Sequence, residues 1–381
     1  MKKHTQKRYN LKSAERILNE PDGPTFLMWC NIISTNKNRS DEFCMGPDPY
    51  TVIKDDIDSL QRDCSAQFSC LVLSVLHDGT FNINKLSECL SQTNSASRKD
   101  DNNTVLKILH SCGITLKSPE NMEYLRQCFK TLTGTYLHMY PTMSEYSVLT
   151  DNFTKAVIEI YGPGNLGVIL EYASSKFIRE YIRISDSCPD SETNSFVVVP
   201  DDYHQRLAKR LINDLRNGKI SDVFSNPSFK YNTFVQTIQA ELEALDQNDI
   251  CDIMKRKPSH SGKPETLTAA VQFGTPVHWL CKLGLKELLV TACNNCNHLK
   301  DLIKRDPGEF KPLHFAAGYG HLPVVEYLVK DIGVDIRGGQ KKESKVESPF
   351  TLAQLYKKND VEKYLLINGA CGPGKTAITD Q

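Results

Sequence analysis

The chain of 381 residues has no excess of charge of either sign. Its 46 Lys and Arg balance 46 Asp and Glu, for a formal net charge of zero. This excludes an overall field that would draw it onto nucleic acid or an anionic membrane. Long apolar runs are missing too. The longest stretches, such as TFLMWCNII at 25–33, fall far below the roughly 18 residues that read as a membrane span. The opening MKKHTQKRYN is basic but leads into no apolar region, so no secretory signal is expected. The 13 cysteines follow no regular spacing. Most lie in apolar surroundings, as Cys30, Cys70, Cys128 and Cys281 do, where a free thiol acts as a small core hydrophobe. That pattern predicts a reducing, cytoplasmic setting, with the nucleus as second address, and leaves the sequons at Asn38, Asn102 and Asn152 unused. No local Ser/His/Asp, Cys/His or paired-carboxylate signature is present. No enzyme activity, cofactor or metal is therefore expected.

What the chain does have is a repeated unit. Residues 311–333 read KPLHFAAGYGHLPVVEYLVKDIG. One apolar run, with Leu313, Phe315, Ala316 and Ala317, stops at Gly320. A second, with Leu322, Val324, Val325, Tyr327 and Leu328, stops at Gly333. Two short helices fit, each ending where glycine adopts a left-handed conformation at little steric cost. Pro323 falls in the first turn of the second helix, where its missing N–H is not needed. Ala316 and Ala317 let a neighbouring helix come close. Related stretches begin at Gly274 and Ser348, with prolines Pro276, Pro312 and Pro349 spaced 36 and then 37 residues apart. Trp279, Phe315 and Leu352 share one register position, and Leu288, Val324 and Val361 share another.

A helix pair with a PLH-like start and a Gly-His turn resembles the ankyrin repeat, whose period is about 33 residues. The residues carrying the resemblance are Pro276, His278, Gly284, Pro312, His314, Ala316, Ala317, Gly320 and Pro349. Lys311 replaces the usual Thr of the motif and Thr351 its His. Lys357 stands where the turn glycine belongs, with Asn359 nearby as the residue expected to turn left-handed. The resemblance implies that His278 and His314 bond the turn backbone and link neighbouring repeats, rather than act in catalysis. It also implies an extended surface for a protein partner, on which Lys282, Leu283, Gly318, Tyr319, Leu355 and Tyr356 face outward or cover the next helix. The second helix of the last copy, with Lys357, Lys358, Asp360, Glu362 and Lys363, has the polarity expected of a capping repeat.

The rest reads as mainly α. Helical periodicity dominates 11–140, from LKSAERILNE and GPTFLMWCNIIST through PYTVIKDDIDSLQ, where Asp48 would cap a helix starting at Pro49. AQFSCLVLSVLHDG at 66–79 is apolar all round and predicts a buried helix. FNINKLSECLSQ and NNTVLKILHSCG predict shorter helices, and ENMEYLRQCFKTLTG places Leu125, Cys128, Phe129 and Leu132 on one face. TYLHMYPTMSEYSVL alternates like two strands around Pro141. Helices followed by a small hairpin suggest a winged-helix-like module. Beyond it, Asp151 caps a helix that Gly162–Gly164 breaks, and NLGVILEYA and SKFIREYIRI predict two more. FVVVP at 196–200 predicts one strand. YHQRLAKRLINDLRNGKISDVF predicts one long amphipathic helix with Leu207, Leu211 and Leu215 inward. The domains expected are an N-terminal helical segment at 1–62, a winged-helix-like module at 63–150 and a helical domain at 151–254. A linker at 255–268, about three ankyrin repeats at 269–370 and a tail at 371–381 follow.

The order GPTFLMWCNII, PYTVIKDDIDSLQ, FSCLVLSVLHDG, LTGTYL and RLAKRLINDLRNGKISDVFSNPSF, followed by ankyrin-like repeats, resembles the segment after the nucleotide-binding core in a novel group of metazoan STAND NTPases. This implies an innate-immune-like signalling context, with the chain as a sensor or adaptor arm. Gly23 and Pro24 are adjacent, unlike the Gly-x-Pro that approaches nucleotide in that family.

Three stretches imitate chemistry. Gly369 to Thr376 reads as a literal GxxxxGKT, but a P-loop needs a buried strand before it and a helix after it. VEKYLLINGA precedes it and only AITDQ follows, so nucleotide is not expected. Cys293-Asn-Asn-Cys296-Asn-His298 has metal-like spacing without the four ligands of structural zinc. Arg206, Lys209, Arg210 and Arg216 form a basic helix face, read as solvated surface rather than a phosphate contact. KRKPSHSGKPE at 255–265 is linker-like and a poor match to a nuclear-localisation signal. The sequence therefore points to a non-enzymatic protein-interaction module, with a STAND-type ATPase derivative and a nucleic-acid-binding winged helix as the alternatives.

Overall fold

A computed structural model describes residues 49–93, 104–185, 196–258, 266–296, 298–306, 308–337 and 347–370. The expected helices within 11–35, the Gly23–Pro24 pair, Asp48, the sequons at Asn38 and Asn102, and the GKT tail beyond residue 370 lie outside the described residues. The chain packs as two units, Met1–Val199 and Pro200–Gln381. Their boundary falls inside the stretch 151–254 that the sequence presents as one domain.

The first unit is built round a helix buried on nearly every side. Helix α1 (Pro49–Asp63) buries Val52, Ile53 and Ile57. In α2 (Ser65–Leu76) ten of twelve residues are buried, because the sequence supplies no polar face. Asp78 and Gly79, both with positive φ, turn the chain into β1 (Thr80–Asn82). Helices α3 (Lys85–Thr93), α4 (Thr104–Ser111) and α5 (Pro119–Leu132) follow. Ser118 caps α5 by accepting the Asn121 N–H, and Pro119 occupies its first turn. Strands β2 (Leu137–Tyr140) and β3 (Glu145–Val148) form a hairpin, and β1 joins it in the antiparallel order β1-β3-β2. Phe81 pairs with Tyr146 across that sheet. Beneath it Phe81 stacks on Phe129 at 5.4 Å, and Phe129 meets Tyr146 at 4.9 Å.

The helical stretch α6 (Asp151–Tyr172) is interrupted by a kink just past its Gly-Pro-Gly stretch, where the sequence places a break. Pro163 lies inside it and the non-helical residue is Asn165, whose side chain donates to the Tyr161 carbonyl at 3.0 Å. The Tyr161 carbonyl at the kink is thus satisfied, and helix follows on the far side of it. Gly162 gives Val197 room: a methyl there would sit 3.0 Å from Val197 Cγ2. After α7 (Ser175–Tyr181) the residues Ile182–Ile184, expected to be helical, form β4, parallel to β5 (Val197–Val199). β1 is likewise a strand where helix was expected. Three-residue strands carry too little periodicity to be seen in a sequence, and their partners fix them.

The second unit begins with α8 (His204–Arg216), which buries Leu207, Leu211 and Leu215. The long helix expected over 203–224 stops at Gly218, with φ 77°, and restarts as α9 (Ile220–Phe224). Helices α10 (Asn232–Glu243) and α11 (Gln247–Lys255) pack beside it. Three helix pairs then stack. The first is α13 (Pro276–Leu283) with α14 (Lys286–Asn295), and the short α15 (Leu299–Lys304) follows. The second is α16 (Pro312–Tyr319) with α17 (Leu322–Glu326), which continues as a π-helical turn over Tyr327–Ile332. The third is α18 (Pro349–Leu355) with α19 (Asn359–Ile367). The first helices stack as α13, α16, α18. Trp279, Phe315 and Leu352 are buried at one position of the stack, and Leu288, Val324 and Val361 at another. The expected linker is partly structured: Thr266 caps α12 (Leu267–Ala270), and Leu267 is buried.

Candidate protein-interaction surface

Each of the stacked first helices starts with a proline in its first turn, Pro276, Pro312 and Pro349, and all three are buried. The residue three positions past the cap then closes the start. His278 Nδ1 accepts the Thr275 N–H at 3.1 Å, and His314 Nδ1 accepts the Lys311 N–H at 3.0 Å. The third helix reverses the arrangement, with Ser348 Oγ accepting the Thr351 N–H at 3.0 Å. His278 also reaches forward. Its Nε2 lies 3.4 Å from Asp306 Oδ2, and its ring meets Phe315 edge-on at 5.4 Å. Burial holds both imidazoles below their ordinary pKa, His314 at about 4. They are neutral, structural groups at pH 7.

The three helices also end alike. Gly284, Gly320 and Lys357 all have left-handed backbone, with φ of 73°, 86° and 56°. The sequence reading placed the left-handed residue of the last pair at Asn359, and this is corrected: Asn359 is the first residue of α19. Lys357 takes the strained conformation because its neighbours in the stack dictate the path of the turn. The next residue in register packs back over the preceding pair. His321 covers Gly284, where a methyl group would meet Nδ1 at 2.5 Å, and Lys358 covers Gly320. His321 Nε2 donates to the Lys282 carbonyl at 2.7 Å.

These turns build a ledge across the C-terminal ends of α13, α16 and α18. The Lys282 ammonium lies 4.3 Å from the ring centre of Trp279 and 5.5 Å from that of Tyr319, a cation held between two π faces. Trp279 in turn stacks on Phe224 at 6.1 Å. Burial of its stem lowers the Lys282 pKa. Burial, with Tyr356 beside it, raises that of Tyr319, against the opposing bond to Thr268. Gly318 is buried under Leu267, which a methyl group there would strike at 2.4 Å. Leu283 is half-buried, whereas Leu355 is 65% and Tyr356 41% exposed. Ala316 and Ala317 are fully buried in the stack. The residues the sequence offered as partner-facing, Lys282, Leu283, Gly318, Tyr319, Leu355 and Tyr356, therefore sit on one ledge or directly beneath it. His321 was not singled out as a surface residue and Lys358 was read only as part of the polar face of the last pair, although both stand one position after a turn residue in the same register as Leu285. The last pair is less polar than a cap, with Leu366 56% and Ile367 73% exposed.

The imitations of chemistry fare differently. The reading of most cysteines as free thiols in apolar surroundings meets an exception at one pair. Cys251 on α11 and Cys296, just past α14, form a disulfide, because α11 packs on α14 across a separation of 45 residues that no spacing in the sequence reveals. The metal-like Cys293–Cys296 spacing thereby loses a ligand, burial raises the Cys293 pKa, and no group able to hold a metal occurs among the described residues. On the basic face of α8, Arg210 pairs with Asp214 at 2.9 Å and Arg216 with Asp249 at 2.5 Å. What leads into the GKT tail is helix α19, not a strand. No helix among the described residues is long and apolar enough to cross a membrane.

A family model for the ankyrin repeat matches residues 308–338. Those residues are an ankyrin repeat. The match spans α16, the left-handed Gly320 and the second helix with its π turn. The chain is also 40% identical over 72 residues, 18% of its length, to alpha-latrotoxin-Lh1a of Latrodectus hasselti. It spans about 5% of that toxin's length. No solved structure matches the chain. An ankyrin repeat points to a role in protein–protein interaction.

Proposed function

We propose that residues 269–370 form a solenoid of three ankyrin repeats whose ledge binds a protein partner, and that the chain is a non-enzymatic adaptor or sensor arm. The observation that carries this reading is the row Lys282, Tyr319, Tyr356 and Leu355, which crosses three stacked helices and runs from half-buried Lys282 and Tyr319 to exposed Tyr356 and Leu355. Tyrosines presented this way make good interface anchors, being large, with few rotatable bonds and one polar tip. The start and end geometries shared by the three pairs support counting the outer two as repeats.

The order of the first unit, helix α2, strand β1, helices α3 to α5 and hairpin β2–β3, supports the winged-helix reading of 63–150 and with it the STAND-like signalling context. The ATPase alternative draws no support from the helix ahead of the GKT motif. Nor does it from the cleft of about 230 Å³ in the first unit, whose charged lining is Asp78, Asp151 and Glu180 against Lys176. The nucleic-acid alternative is weakened by the carboxylate partners of Arg210 and Arg216. Seven free cysteines among the described residues favour a reducing, cytoplasmic site of action, and the Cys251–Cys296 bridge is the exception to it.

The test is affinity capture of partners on the purified chain beside a Leu355→Ser/Tyr356→Ser variant. Both side chains are exposed, so the variant should keep its fold. The proposal expects a partner retained by the parent and lost by the variant. Equal retention by both would defeat it.

A further inference from the structure

The cations of the ledge are not matched by carboxylates. Among the described residues no ion pair involves Lys282, Lys357 or Lys358, a state they share with exposed lysines elsewhere such as Lys209 and Lys219. The acidic residues of the same helix pairs, Glu287, Glu326, Asp331, Asp360 and Glu362, belong to the second helices. Two of these are already engaged, Glu326 with Lys330 and Glu362 with the Gln354 amide at 2.8 Å. Lys282 is moreover held in place. Its ammonium is flanked by Trp279 and Tyr319, and its carbonyl is tied to His321. The stem of Lys358 lies along Gly320 without such a tie. A fixed, partly desolvated cation such as Lys282 gains more from an anion than a mobile, fully hydrated one does.

Apolar surface runs through the same row. Leu355 and Tyr356 are exposed in line with the half-buried Tyr319. Few cations interleaved with apolar and aromatic groups, on a chain without net charge, suit a polypeptide better than a continuous phosphate backbone. We propose that the ledge takes an extended acidic segment of a partner protein, with carboxylates facing Lys282 and Lys358 and an apolar side chain on Leu355 and Tyr356. The inference rests on the reading of the ledge as a protein-binding surface and adds the chemistry of the partner. Successive helices in such a stack lie about 8–10 Å apart and an extended chain rises about 3.3 Å per residue, so the two carboxylates stand roughly three to six residues apart.

Fluorescence polarisation tests this with the full purified chain and four labelled probes. These are a twelve-residue peptide of glutamate and leucine, the same peptide with lysine for glutamate, the same with serine for glutamate, and a twelve-nucleotide single-stranded DNA. The glutamate peptide should bind at least tenfold tighter than the serine peptide. Lys282→Gln/Lys358→Gln should weaken it at least tenfold, and Lys282→Arg/Lys358→Arg should restore most of the affinity, with thermal melting confirming the fold of each. The inference is overturned by preference for the serine or lysine peptide, by tighter binding of the DNA, by absence of binding to all four, or by unchanged affinity in the glutamine variant. Serine- or lysine-peptide binding that disappears in Leu355→Ser/Tyr356→Ser would overturn the acidic partner while leaving the protein-binding surface in place, so the two readings fail separately.

Discussion

Lys358 lies across Gly320: a methyl group on Gly320 would come within 2.6 Å of Lys358 Cδ. One helix pair earlier His321 covers Gly284 in the same way, at 2.5 Å from Nδ1. The two contacts differ in how far they can yield. Lys358 can swing its flexible stem aside, whereas His321 is held by its bond to the Lys282 carbonyl. Gly320→Ala is therefore expected to lose about 1 to 2 kcal/mol from its left-handed backbone. Gly284→Ala is expected to lose about 1 kcal/mol more, the approximate worth of the displaced hydrogen bond. Urea denaturation midpoints of the two variants check the order.

Lys357 stands where the other two helix pairs place glycine, with φ 56°. Its side chain is exposed, so little packing opposes its removal. Lys357→Gly should stabilise the chain by roughly 0.5 to 1 kcal/mol, because relief of the left-handed strain outweighs the greater freedom glycine gains when unfolded. An exposed Lys357→Ala control should not stabilise.

How much of this was legible in the sequence follows from what each feature depends on. The helix pairs were legible because proline, glycine and the buried positions recur at fixed spacing, and that periodicity is local. The histidine starts were legible for the same reason. The left-handed Lys357 was missed because a lysine there is locally unfavourable and only the stack imposes it. Strands β1 and β4 were missed because three residues carry no period. The Cys251–Cys296 bridge was invisible because it depends on α11 meeting α14. On the ledge, register alone picked out Lys282, Tyr319 and Tyr356. The Trp279–Lys282 contact and the backward reach of His321 and Lys358 needed coordinates.

Stability should fall in mild acid through His314. Its folded pKa of about 4 lies below the ordinary histidine value of about 6.5. Between these values the unfolded chain binds the proton and the folded chain does not. The contribution is thus complete above pH 6.5 and lost as pH falls toward 4, by up to about 3 kcal/mol. His278, shifted in the same direction, adds to the loss. His314→Gln should be less stable at pH 7.5 and show a shallower decline between pH 6.5 and 4. A decline as steep as the parent's would assign the acid sensitivity elsewhere.

The disulfide closes a loop of 45 residues. In the chain-entropy picture such a loop is worth about 4 kcal/mol. Non-reducing peptide mapping should recover a linked pair of peptides carrying Cys251 and Cys296. Reduction should lower the melting temperature of the parent, and Cys251→Ser/Cys296→Ser should be insensitive to reductant. Recovery of both cysteines as free thiols would contradict the bridge.

The most direct measurement of the central claim is photo-cross-linking from the ledge itself. A photoreactive amino acid replaces Tyr356 in one protein and the exposed Gln236 of α10 in another, and both are irradiated in extract. A discrete adduct with a partner protein from position 356, absent from position 236, is the predicted result. The same adducts from both positions, or none from 356 while 236 cross-links, would contradict the account.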